Sequence, residues 1–253
     1  LLDEAIVYNT GHLLGFFSVF NSDAIKNTVL IKGNIPANYG GRISSVIDVQ
    51  MKEGNNEDYV AEGGIGLISS RFTVQGPIQK KKSSFIVSGR RTYVLDLAQP
   101  FINNTKFAGS NYYFYDLNTK VNYQLSQKDR IYLSGYFGRD VFKFSNEERG
   151  FEVELPYGNA TGTFRWNHVF KDNLFFNLAL IANNYKFGLH GGQEEFRFNV
   201  DSGVRDYSAK ADIDYYPNPS HLIKIGTRYT YHKLSPNVVN ATNGEVNFST
   251  SFK

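Results

Sequence analysis

The chain has 253 residues, 41% of them hydrophobic and 20% charged, with a net charge of +3; that length suits one large β domain or two ordinary domains. The charge is too balanced to single out a polyanionic partner: only Lys80-Lys81-Lys82 clusters, it reads as a polar turn, and no nucleic-acid surface is expected. Cysteine is absent, which excludes disulfides, thiolate metal sites and cysteine nucleophiles. No run of about 18 apolar residues exists, which excludes a transmembrane helix.

In chain order, residues 1–8 read as a short buried strand, with Ala5, Ile6 and Val7 contiguous. A turn at 9–12 leads into an apolar, aromatic stretch at 13–20. Asn21, Ser22 and Asp23 then offer caps for a short helix at 24–26. Val29, Leu30 and Ile31 form a strand closed by Lys32-Gly33. Gly33-Asn34, Pro36 and Gly40-Gly41 make a sharply turning loop, and 43–51 is a second strand with polar residues interleaved. Up to about Gly54 the chain is a small α/β unit, too small to hold a self-sufficient core.

After a polar linker at 54–58 the texture changes to alternating segments separated by turn residues. Strands are expected at 59–68, 69–78, 84–97, 112–125, 130–144, 158–170, 174–189, 204–216 and 221–234, with another beginning near 247. Short polar turns fall at Lys81, Asp129, Asp172 and Asn218. Longer loops are expected at 100–111, up to Pro156, up to Gly203 and up to Glu245. Short turns at one end and long loops at the other are the pattern of an outer-membrane barrel. The alternation agrees. Ala209, Ala211, Ile213 and Tyr215 share one face, and Ser208, Lys210, Asp212 and Asp214 share the other. Charges suit a wet lumen, and the apolar face suits lipid. Aromatics, 15% of the chain, crowd the strand ends at 112–115, 142–144, 170–176 and 215–216, as interfacial girdles do. A soluble β-sandwich also alternates but predicts neither the loop asymmetry nor the strand lengths.

The stretch from Lys32-Gly33 through Pro36-Ala37-Asn38-Tyr39-Gly40-Gly41-Arg42-Ile43-Ser44-Ser45-Val46-Ile47-Asp48-Val49 resembles the C-terminal end of the plug of TonB-dependent outer-membrane receptors, in the version of the Bacteroidota. The resemblance extends upstream through 3–9 and 15–21, and downstream through Gly76-Pro77-Ile78 and Ser88-Gly89-Arg90-Arg91-Thr92-Tyr93. It implies a mainly β fold. Residues 1–54 are the C-terminal part of a small α/β plug domain, and 55–253 are the N-terminal part of an antiparallel transmembrane β-barrel. That gives nine strands and the start of a tenth, out of roughly 22 in such barrels. The chain opens on Leu1 and closes inside a strand, so a piece of a longer receptor is expected.

The resemblance also implies the activity. A nutrient of the glycan, peptide, siderophore or cobalamin class binds from outside, and TonB, driven by ExbB and ExbD, displaces the plug. The TonB-contacting segment lies N-terminal to Leu1. Outer-membrane lipids surround the barrel, and a surface lipoprotein lid is a further partner in such systems. Ligand contact is expected at the plug apex, at Asn9, Thr10, Gly11, His12 and Leu13 and at Asn34, Ile35, Pro36 and Asn38. Arg42, in a glycine-flanked strand, is the expected plug–barrel contact. A receptor-derived structural or secretion-associated barrel without active transport, and an outer-membrane enzyme barrel, are the other readings.

The remaining motifs carry little. His12, His168, His190, His221 and His232 stand at no metal-ligand spacing and read as surface, girdle or loop residues, so no metal or other cofactor is expected. Asp212 and Asp214 read as lumen charges paired with Lys or Arg. Ser44-Ser45 and Ser69-Ser70 lack the Gly-x-Ser-x-Gly setting of a nucleophile. Gly63-Gly64-Ile65-Gly66 precedes no helix. No catalytic set is found.

Overall fold

The structure, a computed structural model, describes residues 1–12, 15–41, 44–243 and 246–251. The N-terminal part contains β1 (Gly11–His12) and β2 (Phe17–Ser18), which pair with each other, and β3 (Ile25–Lys32) and β4 (Ser45–Met51), which form an antiparallel hairpin. A 3-10 turn at Ala37–Tyr39 lies in the β3–β4 loop, where Gly33 and Gly41 take φ of +62° and +74°. The strand–loop–strand reading of this stretch holds. The helix expected at 24–26 does not form: β3 begins at Ile25, and β-branched Ile25 and Thr28 fit the extended pairing.

Ten further strands form one antiparallel sheet in sequence order: β5 (Val60–Ile65), β6 (Ser69–Gln79), β7 (Ser83–Thr92), β8 (Asn111–Gln124), β9 (Asp129–Asn146), β10 (Phe151–Lys171), β11 (Leu174–Gln193), β12 (Phe196–Asn218), β13 (His221–Asn243) and β14 (Val246–Ser251). Each strand pairs only with its sequence neighbours, so the sheet is an open arc with β5 and β14 at its edges.

The sheet is built inside out. Along β8, Asp116, Asn118, Lys120 and Asn122 are buried against the N-terminal part, and Leu117 between them is exposed. Along β9, Ser134 and Asp140 are buried and Leu133 and Phe137 exposed; along β12, Asp206 and Ser208 are buried and Tyr207 exposed. Polar side chains inward and Leu, Phe and Tyr outward is the reverse of a water-soluble sheet and is the face arrangement of a membrane barrel wall. The fold is thus a partial antiparallel transmembrane β-barrel.

Two expectations need correction. The long loops up to Pro156 and Gly203 are not irregular, and the one expected up to Glu245 is strand as far as Asn243, because β13, expected to stop at 234, runs on to that residue. β9 and β10 run on to Asn146 and from Phe151, and β11 and β12 are joined by Glu194 and Glu195 alone, with Glu194 at φ +55°. The asymmetry lies in strand arms that extend past the apolar band. The arms do alternate, with Phe151, Val153 and Leu155 against Glu152 and Glu154 and with Phe196, Phe198 and Val200 against Arg197 and Asn199, but Pro156 and the glycines at 188, 191 and 192 read as turn residues. The strand expected at 84–97 stops at Thr92, and α1 (Val94–Ile102) follows. Asp96 anchors α1 by accepting from Asn111 Nδ2 at 2.8 Å, and Gln99 donates to the Ser110 carbonyl at 2.9 Å.

The N-terminal part rests against the inner wall on a small apolar cluster. It comprises Leu2, Val7, Val19, Ala24, Val49 and Met51, closed by Tyr136 of β9. At about 1.5–3 kcal/mol per large buried side chain, so few residues hold only part of the interface. The rest is polar. Gly54, at φ +85°, links this part to the wall, and a Cβ there would run into the Phe85 carbonyl oxygen.

Candidate functional site

The wall meets residues 1–53 through charges sorted by height. Cross-strand register places Arg165, Ala179, Lys210 and Arg228 opposite one another on β10–β13, so three cations share one rung of the inner face. Asp3 and Glu4 are presented to this level by a tight turn. Leu2 and Ala5 exchange backbone hydrogen bonds of 2.8 and 2.9 Å, and Asp3 and Glu4 take φ of +43° and +74° between them. Two left-handed central residues define a type I′ turn, which normally takes Asn and Gly. Acids there cost backbone strain, and their side chains repay it with ion pairs. Glu4 Oε2 lies 3.2 Å from Lys210 Nζ and Glu4 Oε1 4.0 Å from Arg165. Asp3 Oδ2 lies 2.8 Å from Lys120 Nζ, both side chains within 5% of full burial. Asp3 Oδ1 accepts from the Met51 amide at 3.0 Å, and Lys120 Nζ donates to the Met51 carbonyl at 3.1 Å.

Higher on the wall the signs reverse. Tyr8 donates its hydroxyl to Asp206, whose other oxygen is 2.6 Å from His232 Nδ1. The Tyr8 amide donates to Asn159 Oδ1, and Asn159 Nδ2 donates to the Asn9 carbonyl, each at 3.1 Å. His12 is buried, with Nδ1 at 2.6 Å from Asp140 Oδ2 and Nε2 at 3.4 Å from Asp116 Oδ2. Its ring stacks on Phe114 with centroids 4.0 Å apart. Arg90 closes the cluster, 2.6 Å from Asp116, and donates to the Ser18 carbonyl at 2.7 Å; Tyr112 donates its hydroxyl to Asp140. Burial lowers the pKa of His12, but the Asp116 and Asp140 carboxylates outweigh it and leave the net shift upward.

The expected site residues do not come together. Asn9, Thr10, Gly11 and His12 lie beside β8–β10, where His12 is sealed from solvent. This corrects the reading of His12 as a surface, girdle or loop residue. Asn34, Ile35, Pro36 and Asn38 lie on the β3–β4 loop, and Asn38 lines a cavity of about 120 Å³ shared with Tyr39, Arg165, Lys210 and Arg228. Tyr39 there donates to Asp48 at 2.8 Å, and burial together with Asp48 pushes its pKa up to about 12. Leu13 and Arg42 lie outside the described residues. Among the contacts that tie residues 1–53 to the wall, those of Asp3, Glu4 and His12 had a weak signal in the sequence: two adjacent acids and a His in a segment with little charge. A larger cavity of about 520 Å³ against β9–β13 is lined by Arg139, Lys186 and Arg205 as well as Tyr157, Tyr185 and Phe187, and by no described residue of the N-terminal part. Asp212 and Asp214 pair with Lys210 at 2.8 Å and Lys224 at 3.4 Å. Among the described residues no group of His, Asp and Glu is placed to hold a metal ion.

No family model and no curated protein matches the chain. Solved structures do. The chain aligns with the ferric yersiniabactin uptake receptor of Yersinia pestis at 11% identity and a TM-score of 0.49, covering 83% of this chain and 44% of that one. It aligns with the copper transporter OprC at 9% identity and a TM-score of 0.44, covering 90% and 48%. A mutant ferric enterobactin receptor of Pseudomonas aeruginosa, in complex with enterobactin, aligns at 13% identity and a TM-score of 0.42, covering 95% and 51%. The chain thus spans about half the length of the solved structures it matches. At these identities and scores what those proteins carry does not transfer to this chain.

Proposed function

We propose that the chain is part of a TonB-dependent outer-membrane transporter of the Bacteroidota type, with residues 1–54 the C-terminal part of its plug and 55–253 the N-terminal part of its barrel. In this reading the protein imports a nutrient of the glycan, peptide, siderophore or cobalamin class, and TonB with ExbB and ExbD displaces the plug from the periplasmic side. The observation that carries it is the interface itself. Residues 1–53 sit on the inner face of an inside-out sheet, held by buried and half-buried ion pairs and hydrogen bonds around a small apolar cluster. A part fixed for good would be expected to rest on an apolar core. Buried pairs add little net stability but fix register and orientation, which suits a part that must seat, leave and reseat.

No cysteine of this chain competes with introduced ones. Asn9→Cys with Asn159→Cys in the full-length protein places two thiols where the backbone and side chain now meet. Oxidation should stop uptake of the nutrient and reduction should restore it, with proton-motive force required throughout. Undiminished uptake by the cross-linked protein, or uptake that persists without proton-motive force, sinks the proposal.

A further inference from the structure

The outward face carries a second charged feature, unconnected with the plug contacts. Arg139 of β9, Lys186 of β11, Arg205 of β12 and Lys233 of β13 are exposed and, by strand alternation, point away from the lumen: their neighbours Asp140, Asp206 and His232 point in. Register gathers them. Arg139, Gly158, Lys186 and Gly203 are successive partners on one rung, and Arg205 and Lys233 face each other one step closer to the short turns. Gly158 lies between Arg139 and Lys186 on that rung and Gly203 follows Lys186, so no side chain separates these two cations. Among the described residues none of the four has a carboxylate partner. Like charges directly opposite, as at Arg205 and Lys233, are unfavourable unless an anion bridges them.

Their height is informative. Arg139 stands ten residues beyond Asp129, Lys186 twelve beyond Leu174, Arg205 thirteen before Asn218 and Lys233 twelve beyond His221. A tilted strand crosses the hydrocarbon core in about 9–11 residues. Counted from the short-turn end, the four cations therefore sit at the far edge of the core. Between that edge and the short turns the outward face is apolar, with Leu133, Phe164, Leu180, Ile213, Ile225 and Tyr229 exposed. Arg139 and Lys186 are two strands apart, roughly 10 Å at normal strand spacing, which is wide enough for two phosphate groups.

We infer that this patch binds a lipid headgroup carrying more than one phosphate, in the leaflet facing the β9–β13 arms, with its acyl chains lying on the apolar band below. The inference rests on the membrane-barrel reading above. Its test uses the detergent-extracted full-length protein and native mass spectrometry, with diphosphorylated lipid A, its monophosphorylated form and inorganic phosphate as probes. The wild type should retain diphosphorylated lipid A more strongly than the monophosphorylated form, and rising salt should weaken retention. The variant R139Q/K186Q/R205Q/K233Q should lose retention at least tenfold while still migrating as a folded barrel. Should the fourfold variant misfold, R205Q/K233Q alone should lose retention severalfold. Equal retention by wild type and folded variant overturns the inference, as does inorganic phosphate competing at concentrations comparable to the lipid. Membrane fractionation separates the two failures: a chain absent from the outer membrane refutes the barrel reading, whereas one present there but blind to these four changes refutes only the lipid site.

Discussion

Lys120→Met isolates the buried pair that anchors the Asp3-Glu4 turn. Methionine keeps the length of the side chain and removes its charge. Asp3 is then left as a carboxylate that is almost fully enclosed, and the donor to the Met51 carbonyl is lost as well. Removing one partner of a buried pair costs about 3–5 kcal/mol, because the other charge stays buried without its counterion. At about 1.4 kcal/mol per tenfold, local opening of the segment should rise by roughly 150-fold to 4,000-fold. Hydrogen exchange reads this directly at the Met51 amide, which donates to Asp3, and at the Asp3 amide, which donates to the Val49 carbonyl at 2.9 Å. The double variant Asp3→Asn with Lys120→Met removes both charges and should recover most of the protection. Exchange at Met51 within about threefold of wild type in the single variant would refute the assignment of the pair as an anchor.

Other consequences are open to measurement. The pKa of His12 is raised in the folded state, so its pairing with Asp116 and Asp140 stabilises docking fully below the ordinary histidine value, and that contribution is lost as pH rises through the raised value. Protection of the segment around Gly11 and His12 should fall with rising pH in the wild type, and His12→Gln should flatten the profile. An unchanged slope in that variant would assign the pH dependence elsewhere. Leu180, exposed on β11 six residues beyond Leu174 and paired with Phe164 and Ala209, sits near the middle of the apolar band. Leu180→Arg should destabilise the inserted barrel by about 2–4 kcal/mol, read as a lower denaturant midpoint in lipid vesicles. No effect there would argue against lipid on that face.

The strand positions and the faces they present were legible in the sequence because side chains alternate with a period of two, and because a face that meets lipid must be apolar whatever else the chain does. Ala209, Ala211, Ile213 and Tyr215 declared their face without help from any neighbour, and Lys81, Asp172 and Asn218 marked turns by local chemistry alone. The arms beyond the apolar band were not legible. They alternate as strands do, but Pro156 and the glycines at 188, 191 and 192 carry turn chemistry, and only the register across β9–β12 shows that pairing continues through them. α1 was misread for a related reason: an apolar-rich segment with a polar interruption satisfies either period over a few residues.

Which charges meet was decided only by tertiary structure. Asp3 and Lys120 are 117 residues apart, and nothing local to either encodes the other. The sequence by itself determined which residues face in and which face out, since that follows from strand geometry and solvent. The fold alone determined which inward charges are paired with residues 1–53 and which outward cations share a rung, since both depend on the register that hydrogen bonding sets across the sheet.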